Sequence, residues 1–165
     1  MNAMILAAGL GVRMRPLTNV TPKPLLEVDG ITMLDRMLAH LKEGGIKTIV
    51  INTHYMAEKV ATHFRKKTGL NIQLLHEVQL LETGGGVANA LPTLGGDSFI
   101  VANSDVIIIS GNKPLMTRLI DAWDPEIMDA LLLVQPIARC FGFSGQGDFY
   151  MDCNGLLKRE VKASP

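Results

Sequence analysis

Ala3-Met4-Ile5-Leu6-Ala7-Ala8-Gly9-Leu10-Gly11-Val12-Arg13-Met14-Arg15-Pro16, continued by Thr21-Pro22-Lys23-Pro24, is the stretch on which the reading of this chain turns. Residues 3–8 form a continuous apolar run of strand length, the pattern of a parallel strand covered on both faces. The run breaks into a glycine loop, and the loop delivers cations. Gly9 and Gly11 can take backbone angles barred to other residues and expose N–H groups to a closely approaching phosphate. Arg13, Arg15 and Lys23 supply the positive charge that a polyphosphate needs. Lys23 stands between Pro22 and Pro24, which present it from a stiff segment. Together these residues predict a nucleoside triphosphate site.

Two better-known glycine loops are excluded. The pattern is not G-x-G-x-x-G, because Met14 stands at the third glycine position. It is not G-x-x-x-x-G-K-[ST] either, since the second glycine and the lysine that follows it are missing.

Working outward, strand and helix signals alternate. Met33, Leu34, Met37, Leu38 and Leu41 share one face of a helix expected over residues 32–43, which Gly44-Gly45 ends. The β-branched run Thr48-Ile49-Val50-Ile51 reads as a second buried strand. Met56, Val60 and Phe64, spaced four apart, predict a helix over residues 55–67. Residues 72–75 give a third strand, and residues 84–91 read as a loop turning into a short helix ended by Pro92. Residues 98–102 are a fourth strand running into Asn103-Ser104-Asp105, residues 113–123 are helical, and residues 130–135 are strand-like. Residues 152–155 mark a hairpin turn between two short strands. This rhythm predicts a single three-layer, Rossmann-like α/β domain over 1–165 with a mostly parallel mixed sheet. Ligands of such sheets bind beyond the carboxyl ends of the strands, so the glycine loop and residues 103–105 are expected to converge.

Composition narrows the function classes. The 165 residues are 47% hydrophobic and 19% charged, which is globular, and their formal net charge of zero argues against nucleic acid as the main partner. Cys140 and Cys153 form no metal or redox spacing and read as plain thiols of a reducing compartment. No stretch has the length of a membrane span or the pattern of a signal peptide, so a cytoplasmic, membrane-free protein is expected. His40, His54, His63 and His76 show no metal spacing, and no Ser-His-Asp or Cys-His arrangement favours covalent catalysis.

Several polar residues carry alternative readings. Asp105, at a strand's carboxyl end, can hold Mg²⁺ or cap a turn. Asn103 can donate to a sugar hydroxyl or a phosphate, or satisfy the turn backbone. Glu82-Thr83-Gly84-Gly85-Gly86 is a second glycine cluster, suited to close approach by a base or ribose, or else a flexible loop. Glu77 is either an acceptor for base or ribose, or an exposed carboxylate. In Gly145-Gln146-Gly147-Asp148-Phe149, Asp148 can accept from sugar hydroxyls or open a hairpin.

With these residues in view, L-A-A-G-x-G-x-R-x-x-P-L-T, T-P-K-P-L and a strand ending in x-N-x-D resemble the sugar-1-phosphate nucleotidyltransferase family. E-T-G-G-G and G-x-G-D-F look most like its N-acetylmuramate-1-phosphate uridylyltransferases, with mannose-1-phosphate guanylyltransferases and the glucose-1-phosphate thymidylyl- and uridylyltransferases as alternatives. The resemblance implies a Mg²⁺-dependent transfer from a nucleoside triphosphate, UTP favoured, to a sugar-1-phosphate, in a route that recycles peptidoglycan. Carried over by motif, Gly11, Val12 and Arg13 would cradle the triphosphate, and Lys23 would hold its phosphates during attack. Asp105 would bind Mg²⁺, Asn103 and Asp148 would contact the sugar phosphate, and Glu82, Gly84 and Gly85 would line the base and ribose pocket. The resemblance also implies a W-x-D-x-G segment with a second metal carboxylate. These 165 residues hold none, so either a fragment of a longer protein or a shortened homologue is expected, with Glu160-Val161-Lys162 standing nearest to the family's E-K-P motif. The rival from another class is a non-catalytic nucleotide- or sugar-phosphate-binding domain with a regulatory role.

Overall fold

In a computed structural model, which describes residues 1–65, 69–96 and 98–159, the alternating strand and helix signals become a layered α/β unit. Two compact units divide the chain, Met1–Asp129 and Ala130–Pro165. The first contains β1 (Asn2–Leu6), a hairpin of β2 (Glu27–Val28) and β3 (Ile31–Thr32), α1 (Met33–Glu43), β4 (Thr48–Thr53) and α2 (Ala57–Phe64). It continues with β5 (Asn71–His76), α3 (Glu82–Leu94), β6 (Phe99–Asn103) and α4 (Leu115–Ala122).

The sheet order is β5-β4-β1-β6, and every neighbouring pair is parallel. Successive side chains of a strand point to opposite faces, which is why one apolar run serves two cores. Ala3 and Ile5, with Ile49 and Ile51, pack under α1, α2 and α4 against Leu34, Leu41, Val60 and Met116. Met4 and Val50 face the other way, against Ala90 and Leu94 of α3. Each fully buried aliphatic side chain of this kind contributes about 1.5–3 kcal/mol. The expected three-layer, mostly parallel α/β architecture is therefore the observed one.

Caps set the element ends. Thr32 Oγ1 accepts from the Asp35 N–H at 3.0 Å to open α1. Past its other end Gly45 turns left-handed at φ 78°. Gly44 is there for space: an added Cβ would stand 2.5 Å from Met116 Cβ of α4. The α2 helix is shorter than expected, because Met56 takes a left-handed φ of 51° at its N-cap. Residues 66 and 67 of that reading lie outside the described residues, as do Glu160, Val161 and Lys162.

Two readings need correction. Residues 82–86 are not a loop: α3 starts at Glu82 and runs through Pro92 to Leu94. A proline near a helix's C-terminal end forfeits one backbone hydrogen bond, and here Ala90 and Leu94 keep the turn seated on the sheet. Residues 130–135, read as strand-like, form no strand, because no described segment supplies their ladder bonds. The second unit does hold the expected hairpin, β7 (Tyr150–Met151) with β8 (Leu157–Lys158). Asp152 Oδ1 accepts from the N–H groups of Asn154 at 2.9 Å and Leu156 at 3.0 Å across its turn. No helix among the described residues is long and apolar enough to cross a membrane.

The tight α1–α4 approach gives a direct test: Gly44→Ala is expected to lower unfolding stability by about 1–3 kcal/mol in urea titrations. An unchanged midpoint would mean that Met116 has room to retreat.

Candidate active site

Where the order of strands reverses, the chain runs from β1 outward through β4 and β5, then returns to the other side of β1 as β6. This is the switch point at which open α/β sheets leave a crevice. Leu6 pairs with Asn103 across β1 and β6, so the glycine loop and residues 103–105 emerge side by side. Ser104 tightens the junction, its Oγ donating to the Leu6 carbonyl at 2.6 Å and its N–H to the same oxygen at 3.3 Å.

The loop that leaves β1 is held by close contacts. Gly11 has φ 64°, and an added Cβ there would lie 2.9 Å from Thr18 Cγ2 and 3.2 Å from Lys23 Cβ. Thr18, 1% exposed, donates from Oγ1 to the Gly11 carbonyl at 2.8 Å. The Tyr55 hydroxyl in turn donates to the Thr18 carbonyl at 2.8 Å, which ties the loop to the segment after β4. A 3-10 turn at Val12–Met14 then carries Arg13 outward. Arg13 and Arg15 are exposed, and neither has a carboxylate partner among the described residues. Pro22 and Pro24 are both buried around Lys23, so the lysine projects from a fixed base. Its ammonium forms an ion pair with Asp105 Oδ2.

A cleft of about 440 Å³ opens over these residues, within the usual size of a small-molecule site. Gly9, Gly11, Val12, Arg13 and Lys23 line it from the glycine-loop region, Asn103 and Asp105 from the end of β6, and Glu82 and Thr83 form a wall at the start of α3. Gly84 and Gly85 stand behind that wall in α3 and are not among the lining residues. Asp148 is an exposed residue of the second unit, in the stretch before β7.

Glu77 is neither exposed nor at the cleft surface. It is 2% exposed, its Oε1 accepts from Asn52 Nδ2 at 2.7 Å, and its Oε2 accepts from the Leu81 N–H at 3.1 Å. Asn52, which sequence reasoning passed over, lines the cleft and accepts from the Ala7 N–H at 2.7 Å. The available signal was a polar residue directly after the run Thr48-Ile49-Val50-Ile51, at the strand end where sites form.

The donor set suits one hard cation only in part supplied by protein. Asp105 Oδ1 has no hydrogen-bond partner among the described residues, and the side chain is 33% exposed. No group of three His, Cys, Asp or Glu suited to a metal occurs among those residues. Mg²⁺ is commonly held by one or two carboxylates together with phosphate oxygens and waters, so Asp105 fits that cation in the company of a phosphate ligand.

Comparison with known proteins gives matching results. The family model described as Nucleotidyl transferase matches residues 2–139. The chain is 42% identical over 161 residues to N-acetylmuramate alpha-1-phosphate uridylyltransferase of Caulobacter vibrioides, covering 94% of this chain and 66% of that protein. It is 35% identical over 108 residues to mannose-1-phosphate guanylyltransferase of Mycobacterium tuberculosis, covering 64% of this chain and 30% of that protein. Among solved structures, HddC from Yersinia pseudotuberculosis complexed with GMP-PN superposes with a TM-score of 0.57 at 30% identity, covering 63% of this chain and 47% of that one. This chain thus spans less than two thirds of the length of each of these three proteins.

The packing at Gly11 predicts that Gly11→Ala destabilises the protein by about 1–3 kcal/mol, from the left-handed backbone and the Thr18 contact together. Adding Thr18→Ser removes Cγ2 and is expected to recover part of that loss in thermal unfolding; no recovery would assign the whole cost to the backbone.

Proposed function

The chain belongs to the nucleotidyl transferase family, and from that premise we propose that it transfers a nucleotidyl group from a nucleoside triphosphate to a sugar-1-phosphate. The favoured pair is UTP and N-acetylmuramate 1-phosphate. One observation carries the reading: Arg13 of the glycine loop, Lys23 and the carboxylate of Asp105 line one cleft at the switch point of the sheet. The similarity to the Caulobacter vibrioides uridylyltransferase supports the choice of base and sugar.

In the proposed reaction an oxygen of the sugar-1-phosphate attacks the α-phosphorus of the triphosphate. The bond from that phosphorus to the bridging oxygen breaks, and pyrophosphate leaves with the electron pair. The work is positioning and charge stabilisation, so no nucleophilic side chain is required. N–H groups of residues 9–12 and the Arg13 guanidinium face the phosphates, with Arg13 countering charge on the leaving group. Lys23 holds the phosphate under attack. Asn103 orients the sugar phosphate. Glu82, with Gly84 and Gly85 in the same turns of α3, faces the base side. Asp105 would hold Mg²⁺, which when bound would supply positive charge against the charge developing on the phosphates.

A guanylyl reading keeps the chemistry and changes the base; the likeness to HddC, solved with GMP-PN, and to a mannose-1-phosphate guanylyltransferase favours it. Pyrophosphate release separates the readings. Incubated with Mg²⁺, each nucleoside triphosphate and a panel of sugar-1-phosphates, the protein is expected to release pyrophosphate fastest with UTP and N-acetylmuramate 1-phosphate. Measurable nucleotide binding without release from any pair would leave only the non-catalytic binding domain.

Asp105→Asn is expected to cut turnover by at least about 100-fold while the circular dichroism spectrum stays that of the parent. A fully active variant would remove Asp105 from the metal site.

A further inference from the structure

Two walls of the cleft come from distant parts of the sequence, and a buried pair of side chains spans them. Ala7 starts the phosphate-side loop. Leu81 is the N-cap of α3, directly before Glu82 and Thr83, which line the cleft from the start of that helix. From the Ala7 N–H the path runs to Asn52 Oδ1 at 2.7 Å, from Asn52 Nδ2 to Glu77 Oε1 at 2.7 Å, and from Glu77 Oε2 to the Leu81 N–H at 3.1 Å. Asn52 and Glu77 are each 2% exposed.

The pair is itself rigidly held. The Glu77 N–H donates to the Thr53 carbonyl at 2.8 Å, and His54 Nδ1 lies 2.8 Å from the Glu77 carbonyl. Helix α3 sits on the pair at Gly86, where an added Cβ would come 2.9 Å from Asn52 Nδ2 and 3.0 Å from Glu77 Oε1. Both Glu77 oxygens face N–H donors, which an acceptor-only carboxylate satisfies and an amide cannot match with both of its atoms. The Ala7–Asn52 and Asn52–Glu77 links are buried, so solvent cannot repair a mismatch there, and the Leu81 link is part-buried. Glu82 sits at φ 58°, a backbone state that persists only where its surroundings hold it.

We propose that Asn52 and Glu77 form a positioning pair that sets the separation between the phosphate-side loop and the base-side wall of the cleft. The proposal rests on the nucleotide reading of this cleft for its functional consequence, while the coupling itself is a property of the protein alone. Glu77 acts through Leu81 and Asn52 and is not a lining residue of the cleft.

The donor pattern supplies a swap that tests it. In Asn52→Asp a second carboxylate faces Glu77, and in Glu77→Gln an amide donor faces another donor. The double variant Asn52→Asp/Glu77→Gln restores all three links, with the sense of the 52–77 link reversed. The new carboxylate at position 52 accepts from the Ala7 N–H and from the new amide at position 77. The oxygen of that amide accepts from the Leu81 N–H. Amide hydrogen exchange by NMR, with Met4 and Val50 as internal references, reads the coupling, and calorimetric UTP binding reads its consequence. Asn52→Asp is expected to speed exchange at Leu81, and Glu77→Gln at Ala7, by at least about tenfold, with UTP affinity down about tenfold. The double variant is expected to return both readouts to within about threefold of the parent. Effects confined to the substituted residue's own wall, or a double variant no better than the worse single one, would overturn the proposal. Should a single variant not fold, the double variant decides: folded with parental exchange supports the pair, unfolded overturns it. A parent protein that binds no UTP would end the nucleotide reading alone, and exchange would still decide the coupling.

Discussion

Everything at the cleft depends on the level at which three parallel strands end. Leu6 of β1 pairs with Asn52 on one side and with Asn103 on the other, so three chain segments leave the sheet in one plane. A one-residue slip of any of these strands would turn its apolar set to the opposite face, and both cores forbid it. Met4 and Val50 belong under α3, while Ala3, Ile5, Ile49 and Ile51 belong under α1, α2 and α4. Hydrophobic burial thereby sets the height of Gly9, Asn52 and Asp105, although none of the three contributes to that burial.

From that plane the polar groups are shared out according to what each strand end can reach. The β1 end turns sharply into the loop and offers backbone N–H groups. The β6 end drops Asp105 beside Lys23 through Ser104, whose two hydrogen bonds to the Leu6 carbonyl anchor the turn. The β4 end offers Asn52 inward and Tyr55 outward, and both reach back to the glycine-loop region, Asn52 at Ala7 and Tyr55 at Thr18. Two side chains from one strand end thus brace the loop at its start and further along. A loop rich in glycine loses more conformational entropy on ordering than any other, so bracing of this kind is what allows it to hold one shape.

How far the sequence was legible follows from which signals are local. Periodicity found β1, α1, β4, β5, β6 and α4 within about two residues, the customary spread at element ends. The motifs singled out Arg13, Lys23 and Asp105, which all line one cleft, because charge next to glycine or proline at a strand end has few other reasons. The Asp29-Gly30 turn between β2 and β3 was missed, though Asp-Gly is a strong hairpin signal; both residues adopt positive φ, 53° and 68°. The glycine run 84–86 misled because glycine disfavours a helix locally, whereas Gly86 is in the helix for closeness to Asn52 and Glu77, a tertiary reason. Glu77 was misjudged on the same ground. A glutamate reads as exposed unless its partners are known, and these come from β4 and from the N–H before α3.

The ion pair of Lys23 with Asp105 then takes on a particular meaning. Both side chains are partly exposed, at 23% and 33%, and pairs of that kind contribute only about 0–1 kcal/mol to stability. The segment that presents Lys23 is rigid for other reasons, since Pro22 and Pro24 are buried whether or not the pair forms. Breaking it therefore costs the fold little. On the proposed function, a triphosphate would offer Lys23 a partner of higher charge, and a cation bound to that triphosphate would offer the same to Asp105. The pair holds two opposite charges a hydrogen bond apart at the cleft, neutral as long as each has only the other, and on that reading the two would exchange partners together. A buried, well-packed pair would resist that exchange; one set at the rim of a braced loop does not.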